Sequence, residues 1–264
     1  MTVLDKIIAY KKQEVIANKQ LISIKELERK EYFNTKTKSF KKEIISSNKS
    51  GIIAEFKRKS PSKGIINDFS KVENVILGYE KAGVSGLSIL TDSHFFGGST
   101  NDILAAKKVN SQPILRKDFI VSEYQIIESK AMGADAILLI AAVLTKQEIK
   151  NFTKIAHSLG MEVLFEVHTQ EELDKYIPEI NLVGINNRNL KTFTVDFENS
   201  IKLSQQLPIN TIKIAESGIN DYKNIIALQK HGFNGFLIGE NFMKTKSPEN
   251  TCMEFIANLK NHNS

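Results

Sequence analysis

The sequence predicts a (β/α)8 barrel, an α/β fold, preceded by an extra N-terminal helical extension. Three observations predict it. Eight short apolar runs recur mostly about 20 to 30 residues apart, the spacing of successive strand–helix units. Glycine stands between a helical stretch and the next run at Gly83, Gly133, Gly160 and Gly232, where a left-handed cap turns the chain. The first run begins only near residue 52, leaving a segment rich in Lys, Glu, Ile and Leu ahead of it.

Within residues 1–48, Ile7, Ile8, Lys11 and Val15 recur at helical spacing, so this extension is read as a helical cap over one barrel mouth. Strands are expected at 52–56, 86–90, 113–116, 136–140, 162–166, 182–186, 212–216 and 235–239. These runs are nearly all apolar, which suits parallel strands covered outside by helices. Eight such units point to a closed barrel instead of an open sheet. No stretch reads as an interdomain linker, so residues 1–264 are expected to form one domain.

A hydrophobic share of 41% and a charged share of 25% exclude disorder and fibrous classes. The net charge of +6 comes from lysines interleaved with Glu and Asp along the whole chain. Solvated helix faces look like this, so no nucleic-acid partner is expected, whereas an anionic small molecule would suit the charge. The single Cys252 cannot form an internal disulfide, and its scarcity fits a reducing cytoplasm. The opening residues do not form a signal peptide, and no apolar run is long enough to span a membrane. His94, His157, His168, His231 and His262 show no paired ligand spacing and are read as surface or loop residues, so no metal site is expected. Arg58 and Arg116 are read as ordinary surface arginines.

Barrel enzymes react at the C-terminal ends of their strands. Here those ends are polar, and strand alternation sorts their residues. If Ile53 fills the barrel, Glu55 and Lys57 point inward as well; Leu115 with Lys117, Leu164 with Glu166, and Ile214 with Glu216 repeat the pattern, and Asn186 shares parity with Arg188. Lysines and carboxylates converging on one mouth suit acid–base chemistry, because burial and neighbouring charges move their pKa values toward neutrality. Ser217-Gly218 after the seventh strand and Gly239-Glu240 after the eighth occupy the places where barrels commonly cradle a phosphate.

At these residues the sequence resembles the indole-3-glycerol phosphate synthase family. The likeness is carried by Ile53-Ala54-Glu55-Phe56-Lys57-Arg58-Lys59-Ser60-Pro61-Ser62, Leu115-Arg116-Lys117-Asp118-Phe119-Ile120 and Leu164-Phe165-Glu166-Val167-His168. Gly184-Ile185-Asn186-Asn187-Arg188-Asn189-Leu190, Ala215-Glu216-Ser217-Gly218-Ile219 and Leu237-Ile238-Gly239-Glu240 extend it over essentially the whole chain. The resemblance implies ring closure, decarboxylation and dehydration of 1-(2-carboxyphenylamino)-1-deoxyribulose 5-phosphate to indole-3-glycerol phosphate, a step of tryptophan biosynthesis, with no metal or organic cofactor. It implies that Lys117 is the general acid of ring closure, and that Glu166 and Lys57 share the proton transfers of dehydration. It further implies that Glu55 and Asn186 position the lysines and the sugar hydroxyls. Arg188 would meet an anionic group of the substrate, and Ser60, Pro61, Phe96, Phe119 and Leu190 would line the aromatic side. Ser217, Gly218, Gly239 and Glu240 would frame the phosphate. The chain has no Trp, so a family Trp stacking from the N-terminal helix would be imitated by Ile8 or a neighbour. The expected assembly is a monomer or weak homo-oligomer. Two alternatives stay open: another sugar-phosphate barrel such as phosphoribosylanthranilate isomerase, or a non-catalytic phosphometabolite-binding barrel.

Overall fold

The computed structural model describes residues 2–189 and 194–263. Eight parallel strands close on themselves: Ile52–Phe56, Gly86–Leu90, Ile114–Lys117, Ala136–Ile140, Glu162–Val167, Leu182–Asn186, Ile212–Glu216 and Gly235–Ile238, called strands one to eight below. Strand one pairs with strand eight through Ile52↔Phe236 and with strand two through Ile53↔Gly86, which closes the ring. Strand three runs one residue later than expected, because Pro113 has no N–H to give to the ladder and Lys117 is still paired, with Leu90. Strand five continues to Val167, and strand eight ends at Ile238.

Alternation splits the apolar residues into two layers. Ile53, Leu115, Leu138, Leu164, Ile214 and Leu237 pack together inside the barrel. Ile52, Ile89, Ile137, Phe165, Val183 and Phe236 face the opposite way, into the larger layer beneath the helices. The inward parity assigned to Ile53, Leu115, Leu164 and Ile214 therefore holds, and it carries the polar residues beyond them toward the barrel axis.

The N-terminal extension closes both mouths of the barrel, not one. Its helix Val3–Leu21 starts with a reciprocal cap: Asp5 N donates to Thr2 Oγ1 at 3.1 Å, and Thr2 N donates to Asp5 Oδ2 at 2.7 Å. Ile7, Lys11 and Val15 are buried at successive turns, and Val3, Leu4 and Ile7 reach the C-terminal mouth. Tyr124 Oη anchors the far end of this helix by donating to the carbonyls of Asn18 at 3.1 Å and Ile22 at 3.0 Å. The helix Phe40–Ile44 lies at the opposite end, where Phe40 and Ile44 join the inner apolar layer. Phe40 fits because Gly86 opens strand two; a Cβ there would overlap the Phe40 ring. Among the described residues no helix is long and apolar enough to cross a membrane.

Candidate active site

A cavity of about 390 Å³ opens at the C-terminal mouth. It lies within the range of small-ligand sites. Glu55, Lys57, Lys117, Glu166 and Asn186 line it, together with Ser60, Pro61, Phe96, Phe119, Arg188, Ser217, Gly218, Gly239 and Glu240. Leu190 lies outside the described residues. From the cap helix Val3, Leu4 and Ile7 face the cavity, and of the expected Ile8 and its neighbours it is Ile7 that does so.

Lys117 extends from the end of strand three into a set of carboxylates. Its Nζ donates to Glu166 Oε2 at 3.0 Å and to Glu216 Oε2 at 2.5 Å. Burial works against its charge, but Glu166, Glu216 and Glu55 outweigh that cost and push its pKa up. Glu166 is also buried; Lys117, His168 and Asn186 overcome the desolvation and hold its pKa below the usual carboxylate range. Asn186 Nδ2 donates to Glu166 Oε1 at 3.1 Å, and Arg188 N fixes that amide by donating to Asn186 Oδ1 at 3.0 Å. Glu216 differs: burial, with Glu166 and Glu55 nearby, pushes its pKa up to about 7 even though Lys117 pulls the other way. Its Oε1 is buried without a hydrogen-bond partner. Parity placed Glu216 at this mouth, but sequence reasoning assigned it no part.

A second pair stands on strand one, where Lys57 Nζ donates to Glu55 Oε1 at 2.7 Å and Ser88 Oγ donates to Glu55 Oε2 at 3.3 Å. Gly239 leaves room for it, since a Cβ there would stand 2.5 Å from Glu55 Oε1. Gly239→Ala is therefore expected to displace the Glu55–Lys57 pair and lower kcat/KM by about tenfold or more, the scale of one misplaced acid–base group. Steady-state kinetics beside a thermal melt checks this, and an unchanged kcat/KM would show that the pair tolerates the shift.

The apolar wall is built by Phe96 and Phe119, whose ring centroids lie 5.9 Å apart, and by Leu138, Ile140 and the cap-helix residues. Across the cavity, Ser217 and Gly218 take successive left-handed conformations, with φ of 68 and 74 degrees. A non-glycine residue there is uncommon, and Asn187 Nδ2 holds the turn by donating to Ser217 O at 2.8 Å. Arg188 Nη2 stands 3.6 Å from Glu240 Oε2 and Lys63 Nζ 3.7 Å from Glu240 Oε1, so two cations border this end.

Two expectations need correction, those for Arg116 and His168, while Arg58 stays partly exposed as a surface arginine does. Arg116 is buried, not a surface arginine: it binds Asp118 at 3.1 Å, Glu128 at 2.8 Å and Thr91 at 3.1 Å, and braces strand three from outside. Arg58 pairs with Asp102, its Nη2 donating at 2.9 Å to Oδ1, and it lies over the Phe56 ring. His168 is buried too, with Nε2 3.2 Å from Glu166 Oε1 and Nδ1 3.0 Å from Glu172 Oε2.

A family model described as indole-3-glycerol phosphate synthase matches residues 4–255. This chain belongs to the indole-3-glycerol phosphate synthase family. Relatives of that name include one from Bacteroides thetaiotaomicron, 48% identical over 254 residues and covering 96% of this chain and 97% of the relative. One from Endomicrobium trichonymphae is 43% identical and covers 92% of this chain and 95% of the relative. Among solved structures, a tryptophan synthase complex from Pyrococcus furiosus superposes with a TM-score of 0.60 at 15% identity, over 81% of this chain and 99% of that one. Thiamine phosphate pyrophosphorylase from Pyrococcus furiosus gives a TM-score of 0.59 at 14% identity, over 81% and 97%. At such identities these two share the barrel fold alone with this member of the synthase family.

Proposed function

We propose how the rim residues divide the work of the synthase reaction. The chain is a carboxy-lyase of tryptophan biosynthesis that converts 1-(2-carboxyphenylamino)-1-deoxyribulose 5-phosphate to indole-3-glycerol phosphate. In our reading the anthranilate ring lies against Phe96, Phe119 and Pro61. The phosphate sits among Ser217, Gly218, Gly239 and Glu240, met by backbone N–H groups. Arg188 meets an anionic group of the substrate, and Ser60 borders the ring side. Holding both ends folds the sugar so that its ketone approaches the ring carbon bearing the carboxylate.

Lys117 then protonates the ketone oxygen as the ring carbon bonds to the ketone carbon. The bond to CO2 breaks, its electron pair restores the aromatic ring, and the former ketone oxygen remains as a hydroxyl. In dehydration Lys57 gives the departing hydroxyl its proton, and Glu166 takes a proton from the carbon beside nitrogen, which completes the indole double bond. Glu55 and Asn186 orient Lys57 and Glu166. Glu216, titrating near neutrality, returns a proton to Lys117. The observation that carries this reading is one ammonium, Lys117, shared between two buried carboxylates beside an aromatic wall.

We further propose that residues 1–264 act as one domain with 1–48 as its extension, in the cytoplasm, as a monomer or weak homo-oligomer without a nucleic-acid partner. Purified protein supplied with the carboxyphenylamino substrate is expected to produce indole fluorescence at a rate proportional to enzyme. A folded protein that binds the substrate and yields no indole product would refute the reading.

A further inference from the structure

His168 is a buried titratable residue that the division of labour above leaves unused. It does not line the cavity, so whatever it does to the reaction passes through Glu166. We propose that His168 is a positioning residue: as an imidazolium wedged between Glu166 and Glu172, it fixes the Glu166 carboxylate and keeps it an anion when Lys117 gives up its proton. The proposal rests on the reading of Glu166 as a proton acceptor.

The geometry argues for the charged ring. A neutral imidazole has one N–H and one lone pair, so one of its nitrogens must face any neighbour as an acceptor. Here both nitrogens face carboxylate oxygens, Nε2 toward Glu166 Oε1 at 3.2 Å and Nδ1 toward Glu172 Oε2 at 3.0 Å. A ring neutral at Nδ1 would aim its lone pair at the Glu172 carboxylate, and a ring neutral at Nε2 would leave a lone pair 3.2 Å from the Glu166 carboxylate in a buried site; the protonated ring avoids both. The Nε2 contact is a close ion-pair approach and not an aligned hydrogen bond, so what it supplies to Glu166 is charge. Glu172 is itself held in place, because Oε2 also accepts the His168 backbone N–H at 2.7 Å. Asn199 Nδ2 pins the His168 carbonyl at 3.2 Å. Burial works against the charge, yet Glu166 and Glu172 push the ring up to about 10.

The groups facing this pair explain why a second cation is useful. Glu166 meets Lys117, Asn186 and His168, with Glu216 on the far side of Lys117, and the ring of His168 meets Glu166 and Glu172. While Lys117 is protonated, Glu166 has two cations beside it. Once Lys117 has passed its proton to the substrate, His168 is, among the described residues, the cation left in direct contact with Glu166, which still has Glu216 nearby. Without His168, Glu166 would then tend to take up a proton itself and be unable to accept one from the substrate.

The test is His168→Gln, which removes the charge and keeps a polar side chain. The acid limb of the kcat profile is expected to move up by about one pH unit, so that kcat falls about tenfold on that limb and converges with the parent's above it. KM should change by less than about twofold, the null effect on affinity expected of a residue outside the cavity. In the parent enzyme, NMR of the imidazole nitrogens should show both protonated at pH 8, about 1.5 units above the usual histidine pKa. A neutral ring at that pH, or a kcat loss in His168→Gln equal at every pH, overturns the proposal. If His168→Gln fails to fold, Glu172→Gln replaces it: the imidazole pKa should fall and the acid limb should move the same way, and no movement overturns the proposal equally. Glu166→Gln separates the two claims. Near-parent kcat in that variant would remove the role of Glu166 and the proposal with it, whereas an inactive Glu166→Gln beside an unshifted His168→Gln profile would remove the proposal alone.

Discussion

Lys117→Ala is expected to lower kcat by about 10²–10⁴-fold, the range supplied by a positioned general acid, while substrate affinity changes by less than about tenfold. The asymmetry follows from where the groups stand. The aromatic wall at Phe96 and Phe119 and the turn at Ser217 and Gly218 line the cavity independently of Lys117, so the ends of the substrate keep their partners. What disappears is the proton delivered to the ketone oxygen. The fold should survive, because the two carboxylates left behind can share one proton: Glu216 already titrates near 7 with Lys117 present, and removing that cation pushes it higher still. Lys117→Arg distinguishes proton transfer from charge. A guanidinium keeps the positive charge next to Glu166 and Glu216 but does not release a proton near neutral pH, so it should be almost as inactive as the alanine variant. Indole fluorescence gives kcat, and calorimetric titration with substrate gives Kd. Near-parent kcat in either variant would take the acid role away from Lys117.

The strands and the polar mouth were legible because both depend on local pattern. Apolar runs marked the strands to within a residue, and alternation from Ile53, Leu115, Leu164 and Ile214 correctly aimed Glu55, Lys117, Glu166 and Glu216. The same alternation, taken one residue further, would have placed Arg116 on the outer face against the helix Glu123–Ala131, where Glu128 and Ser129 meet it. His168 was missed because strand five outruns its apolar pattern and ends at Val167, so the next residue still sits at the rim. The helix Phe40–Ile44 carries too few residues to show a period, and nothing local says that Phe40 and Ile44 fill the far mouth of a barrel whose strands come later. Lys11 is the clearest case. It occupies the middle of the stripe Ile7, Lys11, Val15, and its partners Asp92 and Asp118 lie far along the chain; only the tertiary fold brings them together.

Those partners make Lys11→Ala the substitution with the largest expected effect on stability. Lys11 is fully buried, with Nζ 2.9 Å from Asp92 Oδ2, 3.0 Å from Asp118 Oδ1 and 3.0 Å from Glu14 Oε1. Burial opposes its charge, but Asp118 and Asp92 outweigh that and hold the ammonium protonated. Removing it leaves buried carboxylates uncompensated, which costs about 3–5 kcal/mol. The loss falls mainly on Asp92, because Asp118 keeps Arg116 at 3.1 Å. Asp92 Oδ1 also caps the short helix Ser93–Phe96 by accepting Phe95 N at 2.7 Å and Phe96 N at 3.2 Å, so loosening Asp92 loosens the Phe96 wall. The cap helix should detach at the same point, withdrawing Val3, Leu4 and Ile7 from the cavity and raising KM. Urea unfolding measures the first effect and substrate titration the second. Adding Asp92→Asn to Lys11→Met should recover part of the stability, because the double variant removes the orphaned charge while a methylene chain still fills the slot. A Lys11→Ala chain within about 1 kcal/mol of the parent would place this lysine with ordinary exposed ion pairs and separate the cap helix from the energetics of the site.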